Sequence, residues 1–153
     1  MAVTIEIPFS KSFESHRSLE ETATYLNRLD VAVAEHFPGL EQFEQVEESI
    51  YRWAFQKISY SGYDIVINFK TRFTSSGFES LEMEPVGHGN TSLKGKWSLK
   101  QDGKITHVSF NATFVVELPV PFFLKGMATT ITQKEITRLF ERYISNVGKA
   151  LSK

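Results

Sequence analysis

The chain has 153 residues, a formal net charge of −1 and no cysteine. That length supports one domain with a real core, expected over residues 1–153, and is too short for two ordinary ones. The balanced charge leaves no handle for nucleic acid, and the missing thiols exclude a disulfide framework and thiolate metal or nucleophile chemistry.

From the N-terminus, Val3, Ile5, Ile7 and Phe9 alternate with Thr4, Glu6 and Pro8, the period of a half-buried strand. Pro8 has no N–H to give a ladder and predicts a sheet edge. Ser18-Leu19-Glu20-Glu21 has capping-box spacing. Leu19, Ala23, Leu26, Val33 and Phe37 follow at helical intervals until Pro38-Gly39. Leu29-Asp30-Val31 leaves open whether they form one helix or two. From about Gln42 the period falls to two. Tyr51, Trp53 and Phe55 alternate with polar neighbours, as do Tyr63, Ile65, Ile67, Phe69 and Phe73. Leu81 and Met83 oppose Glu82 and Glu84; Leu93, Trp97 and Leu99 oppose Lys94, Lys96, Ser98 and Lys100. Turn signals at Ser61-Gly62, Ser75-Ser76-Gly77, Gly87-His88-Gly89-Asn90 and Gln101-Asp102-Gly103 divide these runs. Short turns join antiparallel neighbours, and one-sided strands need a cover on the apolar side.

The last strand carries Phe110, Ala112, Phe114, Val116, Leu118 and Val120 at alternate positions until Pro119 and Pro121 stop the pairing. Ile136, Leu139, Phe140, Tyr143, Ile144, Val147 and Leu151 then fall at helical spacing and supply the cover. One long helix from about Phe122 is the favoured reading, with Phe122, Phe123, Leu124 and Met127 opening its apolar face. The poor helical run Thr129-Thr130-Ile131-Thr132 marks a start near Gln133 as the alternative. No secretory signal and no apolar run of membrane-spanning length stands in the sequence, so cytoplasm is the expected location and stable membrane insertion is not expected.

The order of strand, helical segment, antiparallel strands and long final helix gathers around "HFPGLEQFEQVEESIYRW" (His36–Trp53) and "VSFNATFVVELPVPFFLKGMA" (Val108–Ala128). It resembles the START-related SRPBCC superfamily, the helix-grip proteins that include polyketide cyclases/dehydrases, pollen-allergen-like proteins and lipid carriers. The resemblance implies an α+β fold: an antiparallel sheet of six to seven strands curved around the C-terminal helix, with one or two short helices after strand 1. It also implies an apolar cavity between sheet and helix that takes a bulky hydrophobic molecule. The Tyr-Pro that opens the first loop of the ubiquinone-carrier subgroup is missing here.

Alternation gives a candidate lining for such a cavity: Tyr51, Tyr63, Phe69, Phe73, Met83, Leu93, Trp97, Phe110, Phe114, Leu118, Met127, Ile131, Phe140 and Tyr143. Apolar walls with a few placed polar groups are what small-molecule pockets use, although the same set also makes a packed core. Thr71 and Thr91 share the inward parity. His16, His36, His88 and His107 lack metal-motif spacing, and neither a nucleophile elbow nor a dinucleotide fingerprint occurs. No cofactor is expected. The leading expectation is a non-catalytic carrier of a lipid, isoprenoid or polyketide-like molecule, with Gly87–Asn90 and the loop before the last helix as its lid. The alternatives are a cyclase/dehydratase-type enzyme, which needs ionisable groups inside, and a protein-interaction module with a filled interior. A protein partner is left open.

Overall fold

Strand β1 (Val3–Ser15) lies at one edge of the sheet, where the missing N–H of Pro8 costs no ladder bond. The computed structural model describes residues 3–60, 62–87 and 89–153; His88 lies outside them. After β1 come α1 (Leu19–Asn27), α2 (Leu29–Ala32), β2 (Leu40–Glu47), β3 (Ile50–Phe55), β4 (Ile58–Tyr60) and β5 (Tyr63–Ile65). Then follow β6 (Asn68–Ser76), β7 (Ser80–Val86), β8 (Thr91–Asp102), β9 (Ile105–Leu118), a 3-10 turn (Phe122–Leu124) and α3 (Lys125–Leu151). Seven strands form one antiparallel sheet in the order β1-β9-β8-β7-β6-β3-β2. Its inner face and α3 enclose one apolar cluster, as the alternation predicts.

The capping box forms: the Glu21 N–H donates to Ser18 Oγ at 3.2 Å. The following helix breaks at Arg28 into α1 and α2, which lie between the two edge strands β1 and β2 in the chain. Gly39 stands at φ +76°, open to glycine, and a Cβ there would meet Leu139 at 3.4 Å. This glycine therefore lets the chain turn tightly beneath α3.

The β9 ladder with β1 runs to Leu118 and ends at the two prolines. Pro121 leads into the 3-10 turn and α3 continues unbroken to Leu151, so the long-helix reading holds. Two expectations need correction. Tyr63 to Phe73 is not one strand: Val66 and Ile67 interrupt it, and β5 pairs with β4 in a separate two-stranded sheet. Phe122, Phe123 and Met127 do not open the buried face of the helix; they are 73%, 82% and 62% exposed. Counted back from the buried face of α3 at 3.6 residues per turn, Phe123 and Met127 already fall on the outward side, and Phe122 lies in the 3-10 turn before the helix.

Candidate functional site

The end of the molecule where α3 finishes is closed and fully bonded. The His16 N–H donates to the Leu151 carbonyl at 2.9 Å, and Arg17 Nη2 donates to the Ala150 carbonyl at 3.2 Å. These bonds satisfy carbonyls that a helix end otherwise leaves free. The buried hydroxyls of Ser15 and Thr22 bond each other at 2.8 Å, and Thr106 donates to the Arg17 carbonyl at 2.8 Å. Above them the helix is held by rings. Tyr143 stacks on Phe37 with centroids 4.4 Å apart, Phe140 stacks on Phe9 at 5.4 Å, and Phe110 and Trp97 stand edge-on to Tyr143.

The opposite end is looser. Strands β7 and β8 pair only from Ser80–Ser98 to Met83–Gly95. Beyond that point β7 stays with β6, and β8 stays with β9. The sheet is thus split, and a hollow of about 360 Å³ occupies the split. Outward residues Arg52, Asn68 and Lys70 line it together with the inward Phe69 and Thr91 and with Pro85, Val86 and Gly87. The buried Phe69 and Thr91 are thus part of the wall of a hollow that is otherwise lined from the outer surface. A second opening, a cleft of about 220 Å³, lies between α3 and the end of β3, lined by Phe55, Ile67 and Leu139 with Arg138 and Arg142 at its rim. Phe55 and Phe69 stack with centroids 6.2 Å apart, so one aromatic wall separates the two spaces. A depression of about 640 Å³ sits elsewhere, where the outward Pro8, Ser10, Glu82, Glu84, Lys94, Lys96, Asn111 and Thr113 line it together with Phe9, Gly95 and Ala112.

Inside, every fully buried polar side chain among the described residues other than Tyr143 is a neutral Ser or Thr. Thr71 accepts from the Trp53 indole N–H at 2.8 Å, and Thr91 donates to Asn90 Oδ1 at 3.1 Å. The hydroxyls of Thr129, Thr132 and Tyr143 are buried with no hydrogen-bond partner. Burial pushes the Tyr143 phenol well above its ordinary range. The indole N–H of Trp97 lies near enough to favour the ionised form slightly, but its geometry falls short of a hydrogen bond. Outside the core, the Tyr25 hydroxyl bonds His36 Nε2, and burial holds the imidazole below its usual value. Among the described residues no cluster of His, Asp and Glu suits a metal ion.

Of the predicted lining, Phe69, Phe73, Met83, Leu93, Trp97, Phe110, Phe114, Leu118, Phe140 and Tyr143 are buried in the common cluster. Tyr51 is half-buried at the sheet margin, stacked on Phe43 at 4.9 Å. Tyr63 is half-buried on the small β4–β5 sheet, Ile131 is half-buried, and Met127 is outside. Thr129 and Thr132 were legible only as a break in helix propensity, and nothing in the sequence marks the split at Met83–Gly95.

No family model matches the chain, and no curated protein matches it. Solved structures do match. A START superfamily protein from Mycobacterium smegmatis is 14% identical, with a TM-score of 0.65 over 94% of this chain and 96% of its own. The fold is the helix grip. A conserved protein from Geobacillus kaustophilus superposes equally well, at 14% identity, with a TM-score of 0.65 and 95% of both chains covered. The Zhui aromatase/cyclase from Streptomyces sp. R1128 is 11% identical, with a TM-score of 0.62 over 96% of this chain and 92% of that one. No described helix is long and apolar enough to cross a membrane.

Proposed function

We propose that the chain binds or carries a hydrophobic small molecule, of lipid, isoprenoid or polyketide-like character, between the sheet and α3. The observation that supports this best is the hollow at the β7–β8 split, whose lining includes the buried Phe69 and Thr91. Its volume falls within the range of about 300–1,000 Å³ that small-molecule pockets occupy. Gly87, Gly89 and Asn90 and the loop before α3 serve as lid. Binding is driven by removal of apolar surface from water, roughly 25 cal/mol per Å².

The interior also restricts the guest. With neutral hydroxyls as its buried polar groups, it offers no counter-charge to a carboxylate or phosphate, and burying an unpaired charge is costly. The part of the guest that enters is therefore uncharged, with a carbonyl or hydroxyl to meet Thr132 or Tyr143, whose own hydroxyls lack partners. Catalysis is not part of this reading, because a cyclase needs a positioned acid or base and the ionisable side chain in the core is Tyr143, held protonated by burial.

Native mass spectrometry of the protein after incubation with a lipid-rich extract tests the proposal. A one-to-one adduct carrying an apolar, uncharged compound is expected; an apo mass across extracts and solution conditions overturns it. A second reading, an interaction module with a filled interior, draws on one observation: the cleft against α3 is only about 220 Å³, below the usual pocket range. An apo mass together with a stable protein partner would favour it.

A further inference from the structure

We infer that the start of α3 is a docking surface for an anionic lipid bilayer. Phe122 and Phe123 are among the most exposed large apolar side chains described, and Met127 is exposed one helical turn on. Two adjacent phenylalanines held in water are not the scattered single apolar residues that an ordinary surface carries. They are also held in place. Pro119 and Pro121 restrict the backbone leading into the 3-10 turn, so little order is lost on insertion. Val66, also exposed, stands at the same end: its carbonyl accepts from Asn90 Nδ2 at 3.0 Å, and the Asn90 carbonyl accepts from the Glu117 N–H at 2.7 Å.

Charge selects the occupant. From Leu118 to Lys134 the sequence contains no acid and has Lys125 and Lys134. The Lys125 ammonium lies 5.6 Å from the centre of the Phe122 ring, so cation and apolar wedge present together. Aromatic side chains beside lysines suit the boundary between acyl chains and anionic headgroups. The surface protrudes rather than forming a groove, which favours a deformable lipid phase over a shaped protein partner. The bonds through Asn90 place Val66 and the end of β9 beside the start of β8, which lines the β7–β8 hollow. The docking itself is independent of whether the interior takes a ligand.

The test is co-sedimentation of the purified chain with vesicles of phosphatidylcholine alone and of phosphatidylcholine with phosphatidylglycerol. Binding to the mixed vesicles, weakened by salt, is expected. Phe122→Ser and Phe123→Ser should each reduce the partition coefficient about tenfold or more, and Lys125→Gln about fivefold. All three sites are exposed, so melting temperatures should stay near that of the parent chain, which separates lost docking from lost fold. No binding to mixed vesicles, or equal binding by the Phe122→Ser/Phe123→Ser chain, overturns the inference. A dimer in sedimentation velocity that this double variant abolishes, without vesicle binding, would overturn it in favour of a second copy of the chain. Co-sedimentation reads the Phe122–Phe123 surface and the adduct measurement reads the interior, so scoring the Phe122→Ser/Phe123→Ser chain in both lets the two results fail independently.

Discussion

The two ends of α3 share one helix and differ in how their polar groups are satisfied. At the Leu151 end, the buried hydroxyls of Ser15, Thr22 and Thr106 all have partners, and the last carbonyls accept from His16 and Arg17. Asn146 adds a bond from its Nδ2 to the His36 carbonyl at 2.9 Å. Toward the Lys125 end, the Thr129 and Thr132 hydroxyls are buried and unpartnered, no side chain caps the helix, and phenylalanines stand in water. A buried donor without a partner costs stability that a paired one does not. The closed end therefore anchors the helix, and the open end retains unsatisfied chemistry that a guest or a surface can meet.

The largest effect expected from breaking this contrast is at the anchor. Phe140→Ala removes a ring packed on Phe9, Phe37, Phe110 and Phe114 and should cost about 3–5 kcal/mol in denaturant unfolding. Next comes one substitution made at both ends. Thr106→Val removes the closer of two hydroxyl donors to the Arg17 carbonyl, leaving Thr22 at 3.5 Å, and should cost about 1 kcal/mol. Thr132→Val removes a hydroxyl that has none and should be neutral or stabilising by up to about 1 kcal/mol, while reducing retention of any ligand that bonds there. A loss of similar size at both positions would erase the distinction.

Tyr143 sharpens it through pH. The unfolded chain loses this proton near the ordinary value of 10.0, whereas in the fold burial keeps the phenol protonated well above it. Where the native state holds a proton that the unfolded chain has released, stability falls as pH rises. Its contribution is thus intact below about pH 10 and is lost above. Tyr143→Phe should remove that alkaline decline, read as melting temperature against pH.

Much of this was legible in the sequence, and what was not has local causes. Pro119 and Pro121 announced the end of β9, and the alternation from Phe110 to Leu118 named its inward residues, because a strand with one buried face keeps a strict period. The hairpin of β2 and β3 was blurred, since register shifts at Leu40/Gln42 and Gln45/Glu47 spoil the alternation that periodicity needs. The Phe122–Phe123 pair continues the apolar run but not the helical stripe: counted back from Ile136 at 3.6 residues per turn, Phe123 falls opposite the buried face. The split between β7 and β8 depends on where two ladders diverge, a tertiary property with no residue pattern of its own. At the candidate site, composition could name apolar candidates, but not which hydroxyls would lack partners.

The most direct test of interior binding is a titration with N-phenyl-1-naphthylamine, a neutral apolar fluorophore, on the Phe122→Ser/Phe123→Ser chain, where the exposed patch cannot contribute. The interior reading predicts saturable one-to-one enhancement of the probe, with energy transfer from the buried Trp53 and Trp97, and weaker binding in the Thr132→Val/Tyr143→Phe chain for ligands that carry a carbonyl. Probe fluorescence that stays at its level in buffer, or rises without saturating and without transfer from the tryptophans, would contradict it.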